Sequence, residues 1–325
     1  MSNTKDRILD RYGFHSEREL KLTDFLFLDC NNSCDFCFEK DHEFKSVCSG
    51  IPTLCSLDDR YIDSHLSFIA EVIKTHGDFN KVKFTVMGGE LFMSGDLTMI
   101  DYYFTGLMNV FDNIRDKISV QIVSNLIHDN IGYVVDLLLR FRKRGIKYIL
   151  NTSFDFGDVR FGDRGSYDRF KRNINQLVRA KNTFGLNVGC GIILTTHMLE
   201  SLKRKDDQCS TFEFICDNFN VDFARLSGNF SYKLTYDEMV ELLMIVIDRY
   251  PDLVENAIYK ERSEPRCCLN NKHILITGNR YVEACVSYVY SMFDKSCEMC
   301  KNDEIMKRTK KYGCLSCPYF GHCIP

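Results

Sequence analysis

Three cysteines, Cys30, Cys34 and Cys37, form a C-x3-C-x2-C array directly after the apolar run Leu22 to Leu28. One short loop thus offers three thiolates, enough to ligate three irons of a cubane cluster and leave the fourth open. An iron with a vacant position is a reagent rather than a brace, because another molecule can bind there. A structural zinc site takes four ligands, often from paired CxxC or CxxH arms, and this loop supplies no obvious fourth. Polar groups suited to serving such a centre recur downstream: Gly88-Gly89-Glu90, Ser124-Asn125, and Ser153 with Asp155.

The elements that must position these residues follow from hydrophobic pattern. Short apolar runs (Leu22–Asp29, Val82–Met87, Ile118–Ser124, Tyr148–Phe154, Asn187–Leu194, Val221–Leu226) alternate with amphipathic stretches near Leu57–His76, Ile100–Phe111, Tyr133–Arg144, Tyr167–Phe184 and Thr211–Asn218. Such alternation predicts repeated βα units and a parallel sheet. Six units fall short of a closed eight-stranded barrel, so the fold class is α/β, a partial (β/α)6 TIM-type barrel. Gly145 and Gly185 stand where helix C-caps belong. Each group of polar residues falls at the end of a run, where parallel βα folds gather their chemistry.

A helix over Thr235–Tyr250 ends at Pro251. From Arg262 the texture changes to a hairpin (His273–Thr277, turn Gly278-Asn279, Tyr281–Ala284) and then little periodicity. The predicted organisation is an N-terminal extension (1–21), a barrel (22–233), a connecting helical segment (234–261) and a small cysteine-rich domain (262–325). That last piece is too short and polar to build its own apolar core, and its thiols are the available staple.

Composition narrows the setting. With 42 basic against 45 acidic residues there is no broad nucleic-acid footprint, and no apolar run is long enough to span a bilayer. The polar N-terminus lacks the apolar region of a signal peptide, which predicts a cytoplasmic protein. In a reducing compartment sixteen cysteines point to metal binding rather than disulfides. Eight of them (Cys267, Cys268, Cys285, Cys297, Cys300, Cys314, Cys317, Cys323) crowd the end of the chain.

Together, the cysteine array and the strand-end segments resemble the radical S-adenosylmethionine (radical SAM) enzymes over roughly Leu22 to Leu226. The resemblance implies a 4Fe-4S cluster on Cys30, Cys34 and Cys37, whose free iron chelates the amino and carboxylate groups of SAM. It also implies a low-potential electron donor, a flavodoxin or ferredoxin, and a radical that abstracts a substrate hydrogen. Met87-Gly88-Gly89-Glu90 looks like the family's GGE segment, which receives the SAM amino group. Ser124-Asn125 resembles the segment near the SAM carboxylate and ribose, and Ser153-x-Asp155 the strand end that binds the ribose. Phe36 is placed near the adenine or as a shield of the cluster, and Arg225 as a partner of the carboxylate.

Arg164-Gly165-Ser166-Tyr167-Asp168 resembles a segment of family members with a SPASM or twitch extension, and Arg164 joins the candidate SAM contacts. That extension binds auxiliary iron–sulfur clusters. The spacing Cys267 or Cys268, Gly278, Cys285 resembles its opening hairpin, and Cys314-x2-Cys317-x5-Cys323 its later array. Cys297-x2-Cys300 departs from the pattern, so one or two auxiliary clusters are implied, with a zinc ribbon on Cys297, Cys300, Cys314 and Cys317 as the alternative. Val286 stands where sulfatase-maturing relatives carry an aspartate, which argues against oxidation of a sulfatase residue.

The resemblance leaves the substrate open. A ribosomally made peptide, epimerised or crosslinked, is the leading reading, and a small molecule is the next. Epimerisation needs a thiol that donates a hydrogen atom, for which Cys190, Cys209 and Cys216 are candidates. From a different class, the chain could be a non-enzymatic zinc-binding interaction protein, which leaves the strand-end polar groups unexplained.

Overall fold

The computed structural model describes residues 19–34, 37, 50–76, 79–225, 231–251, 271–278 and 280–284. The order is β1 (Glu19–Phe25), α1 (Asp59–Thr75), β2 (Lys81–Met87), α2 (Thr98–Phe111), β3 (Ile118–Val123), α3 (Ile131–Lys143), β4 (Lys147–Phe154), a short α4 (Asp158–Phe161) and α5 (Arg164–Phe184). There follow β5 (Val188–Leu194), α6 (Thr196–Arg204), α7 (Asp207–Asn218), β6 (Asn220–Arg225), α8 (Tyr236–Arg249), β7 (Asn271–Thr277) and β8 (Arg280–Ala284).

The strands form one sheet ordered β6-β5-β4-β3-β2-β1-β7-β8, parallel throughout except for the antiparallel β7–β8 hairpin. This is the open, partial TIM-type barrel that the alternating pattern predicts, with one addition. The hairpin forms as expected, but β7 pairs along the free edge of β1, Glu19 opposite Asn271 through Phe25 opposite Thr277, and extends the barrel by a seventh parallel strand.

Alternation sorts each strand into two rows. Val82, Phe84 and Val86 of β2, and Leu150, Thr152 and Phe154 of β4, are buried against the helices, where Phe84 meets Phe111 of α2 and Phe154 stacks on Phe170 of α5. The opposite rows, including Thr85, Gln121, Asn151 and Ser153, line the barrel interior and are only half-buried. Side chains cap the helix starts: Asp58 for α1, Asp163 for α5, Thr195 for α6, Asp206 for α7, and a Thr235–Glu238 capping box for α8. Gly185 closes α5 with φ 64° and Gly145 follows α3 with φ 73°, as the sequence predicts. No described helix is long and apolar enough to cross a membrane.

One polar cluster lies in the helical layer. Asp24 of β1 is fully buried and accepts from His65 Nε2 at 2.9 Å and from the Tyr103 hydroxyl. His65 Nδ1 reaches the Gly278 carbonyl, 3.0 Å away in the β7–β8 turn. A carboxylate and a carbonyl only accept, so both ring nitrogens carry protons and His65 is an imidazolium. Burial opposes that charge, but Asp24 outweighs it and raises the His65 pKa. The pair therefore ties β1 and α1 to the hairpin. His65→Leu should leave Asp24 as an uncompensated buried charge and cost about 3–5 kcal/mol in urea unfolding. Losing less than about 1 kcal/mol would contradict an ion pair there.

Candidate active site at the strand ends

Beyond β1 the chain continues as a buried strap, Leu26 and Phe27, that delivers Asp29 and Cys30 to the mouth of the barrel. The loop after β2 packs directly on this strap. Gly89 N–H donates to Phe27 O at 3.1 Å and Glu90 N–H to Asp29 O at 2.9 Å. A Cβ on Gly88 would lie 2.2 Å from Phe27 O, and one on Gly89 only 1.6 Å from Asp29 O. The glycine pair is thus required by the chain's own backbone, at the segment where the resemblance implies contact with the SAM amino group.

Glu90 is fully buried and joins three strand ends. Its Oε1 accepts from Phe92 N–H at 3.1 Å and the Ser124 hydroxyl at 3.0 Å, while Oε2 accepts from Asn125 N–H at 2.6 Å. Ser124 Oγ also faces His128 Nε2 at 3.2 Å, and His128 Nδ1 accepts from Asn130 N–H at 3.1 Å. The neutral ring consequently carries its proton on Nε2 and donates it to Ser124. Leu126, fully buried, adopts a left-handed backbone with φ 56°, a strained conformation for a branched residue. Asn173 of α5 holds this turn by donating to Leu126 O at 3.0 Å and His128 O at 2.6 Å.

The turn presents Asn125 to the cysteine loop. Its Nδ2 lies 2.8 Å from Asn31 Oδ1 and 3.8 Å from Cys30 Sγ, and Asn31 in turn donates to Ile127 O. Asn32 Nδ2 lies 3.3 Å from Cys34 Sγ. Cys30 is exposed, while Cys34 and Cys37 are half-buried. Among the described residues no three His, Cys, Asp or Glu side chains converge on a single-ion site. Three thiolates on one loop are a donor set that a cubane cluster can use, one to each of three irons.

At the end of β4, Asp155 is fully buried and forms an ion pair with Arg160 of α4, whose side chain is 10% exposed. Asp155 Oδ1 is buried with no hydrogen-bond partner among the described residues. Burial works against the guanidinium, but Asp155, then Cys34, outweigh it and hold the Arg160 pKa above its ordinary value. Arg160 also pulls the Glu90 carboxyl down, so its charge is felt by Cys34, Asp155 and Glu90 together. An orphaned carboxylate oxygen beside a buried cation fits a ligand carrying both a hydroxyl donor and a carboxylate, as SAM does.

The candidates read from sequence divide as follows. The fold brings Cys30, Cys34, Cys37, Gly88, Gly89, Glu90, Ser124, Asn125, Ser153 and Asp155 to one end of the sheet. Arg164 is placed elsewhere, 72% exposed on the rim of α5 and paired with Asp168 and Asp207. Arg160, four residues earlier on α4, takes the buried position. Cys190 requires a correction. It pairs with Thr152 in register and shares that residue's helix-facing row, 1% exposed, while Gly189 and Gly191 take the interior row. Cys209 and Cys216 lie on α7 in the outer layer, Cys209 against Arg249 and Glu213. Burial pushes all three thiols up in pKa. Phe36, the Arg225 side chain and the eight tail cysteines lie outside the described residues.

No family model matches this chain, and no curated protein does. Among solved structures it is similar to native anSMEcpe with bound AdoMet (another name for SAM), at 15% identity and a TM-score of 0.54, over 94% of this chain and 88% of that one. Native anSMEcpe with bound AdoMet and Kp18Cys peptide aligns over the same shares at 14% identity and a TM-score of 0.54. Likeness at this identity establishes the fold.

The buried Glu90–Ser124–His128 relay makes a pH signature. Burial lifts Glu90 from 4.5 to about 7, against the pull of its three donors, and lowers His128 from 6.5 to about 4. The stability linked to Glu90 is fully present below about pH 4.5 and lost as pH rises through 7; that of His128 is lost as pH falls from 6.5 through 4. The two nearly cancel in between. His128→Phe removes one of them, so its stability deficit against wild type should grow by about 1.4 kcal/mol per pH unit from about pH 5 to 6.5 in urea unfolding. A deficit independent of pH would contradict the lowered His128 pKa.

Proposed function

We propose that this chain is a radical SAM enzyme. The observation that carries the reading is a three-thiol loop at the same end of the sheet as a buried Asp155–Arg160 ion pair in which Asp155 Oδ1 has no hydrogen-bond partner among the described residues. Cys30, Cys34 and Cys37 would hold a 4Fe-4S cluster, and the tail cysteines one or two auxiliary clusters. The cluster with bound SAM, given an electron from a low-potential donor, would supply reductive cleavage of SAM to methionine and a radical that takes a hydrogen atom from substrate.

The protein's part is to bind, orient and exclude water. Arg160 would hold the SAM carboxylate as a charge-assisted partner, and Asp155 Oδ1 would accept from a ribose hydroxyl. Glu90 makes no ligand contact in this reading. It fixes Ser124 and Asn125, which face the same mouth. The half-buried row of Thr85, Gln121, Asn151 and Ser153 leaves the interior polar, suited to hydrogen-bonding a substrate backbone. A peptide substrate is supported by this lining and by the same fold in a structure with a bound peptide. The hydrogen-donor role for Cys190, Cys209 and Cys216 is not retained, because all three lie in the helical layer.

Anaerobically reconstituted protein with dithionite and SAM should yield 5′-deoxyadenosine and methionine in equal amounts by mass spectrometry. Replacing Cys30, Cys34 and Cys37 with alanine should abolish both, and no product from the wild type would sink the proposal. Asp155→Asn should weaken SAM binding by roughly tenfold or more, the loss of one charged hydrogen bond, in calorimetry of the loaded protein. Unchanged affinity would remove Asp155 from the ligand's seat.

A further inference from the structure

Two side-chain amides face the cysteine loop with their donors turned toward sulfur. Amide orientation has to be assigned from the hydrogen-bond network, and here the network settles it. Asn125 Oδ1 accepts from Ile127 N–H at 2.7 Å, so its NH2 group is the end that meets Cys30 Sγ at 3.8 Å and Asn31 Oδ1 at 2.8 Å. One amide supplies two protons, enough for both partners. Asn32 Oδ1 accepts from Ser33 N–H at 2.9 Å, which leaves its NH2 group for Cys34 Sγ at 3.3 Å.

The two amides are held differently. Asn32 belongs to the loop itself and moves with it. Asn125 is anchored from outside, by its backbone N–H to the buried Glu90 carboxylate and by the strained Leu126 turn that Asn173 clasps.

A donor aimed at a ligating sulfur stabilises the more negative state of an iron–sulfur centre more than the less negative one. It therefore raises the reduction potential and eases electron entry. Resting on the cluster assignment made above, we infer that Asn125 and Asn32 are positioning residues that set the reduction potential of the centre held by Cys30, Cys34 and Cys37. They act through N–H···S hydrogen bonds to Cys30 and Cys34.

The test is an anaerobic redox titration of the full-length reconstituted protein. It follows the spectroscopic signal that disappears when Cys30, Cys34 and Cys37 are replaced by alanine. In Asn32→Ala and Asn125→Ala, the ratio of reduced to oxidised centre at a fixed applied potential should fall roughly three- to tenfold each. Tenfold corresponds to about 59 mV for a one-electron couple. The double variant should multiply the two effects. In the wild type, Fe–S stretching bands should shift on exchange into deuterium oxide, and the shift should shrink in each variant.

Asn32 lies in a surface loop, so Asn32→Ala carries the test even if Asn125→Ala fails to fold. If replacing Cys30, Cys34 and Cys37 with alanine removes no part of the iron–sulfur signal, both this inference and the cluster assignment are overturned. A signal that depends on the cysteines, with ratio and bands unmoved in the Asn32→Ala variant, would overturn the inference and leave the assignment standing.

Discussion

The mouth of this barrel depends on one buried carboxylate. Glu90 sits directly after β2, yet it receives hydrogen bonds from the end of β3 through Ser124 and Asn125, and its own N–H is pinned to Asp29 at the approach to the cysteines. Three strand ends are thereby fixed relative to one another by a group that is itself inaccessible. The glycine pair before it makes this possible, since any side chain there would collide with the Phe27–Asp29 backbone. Binding groups on different strands can then be placed with the accuracy that positioning requires, because the rigid sheet and not the loops carries their spacing.

A second constraint works from the other side. The Asp155–Arg160 pair is buried, which would be a poor source of stability by itself because both charges lose their hydration. One carboxylate oxygen is left without a partner, so the pair is incomplete as a structural device. Its cation is paired with Asp155, and Asp155, then Cys34, hold the guanidinium charged against burial. Such an arrangement is understandable as one half of a ligand's seat, with the missing partner supplied on binding. The Asp24–His65 pair differs in this respect, since His65 has both ring protons engaged.

Much of this was legible in the sequence. Strands β2 to β6 begin and end within about one residue of the apolar runs, because a strand buried on its helical face must show that face as alternating or continuous apolar residues. β1 starts three residues before the predicted Leu22. Glu19 and Lys21 point to the solvated interior row and read as polar leader, whereas Leu26 to Leu28 are apolar yet belong to the strap beyond the strand. Helix α6 was invisible because its short stretch has only three apolar residues, Met198, Leu199 and Leu202, on a buried face that also includes Ser201, and it ends at Lys205, with no glycine. The pairing of β7 with β1 is a contact between distant segments, for which no local pattern exists.

The site divides along the same line. The candidates read at the ends of the apolar runs lie at one end of the sheet, because the βα topology dictates where strand ends gather. Arg160 was missed because a buried arginine between Val159 and Phe161 looks like part of an amphipathic turn, while exposed Arg164 stood in a recognisable motif. The row that Cys190 occupies is not legible in the sequence, because alternation gives two rows without saying which one faces inward, and only pairing with Thr152 decides it. The most direct test of the whole account is an anaerobic crystal structure of the protein with SAM. It should show a 4Fe-4S cluster on Cys30, Cys34 and Cys37, with the SAM carboxylate against Arg160 and a ribose hydroxyl on Asp155. Density for a cluster or for SAM anywhere other than between the cysteine loop and that pair would contradict it.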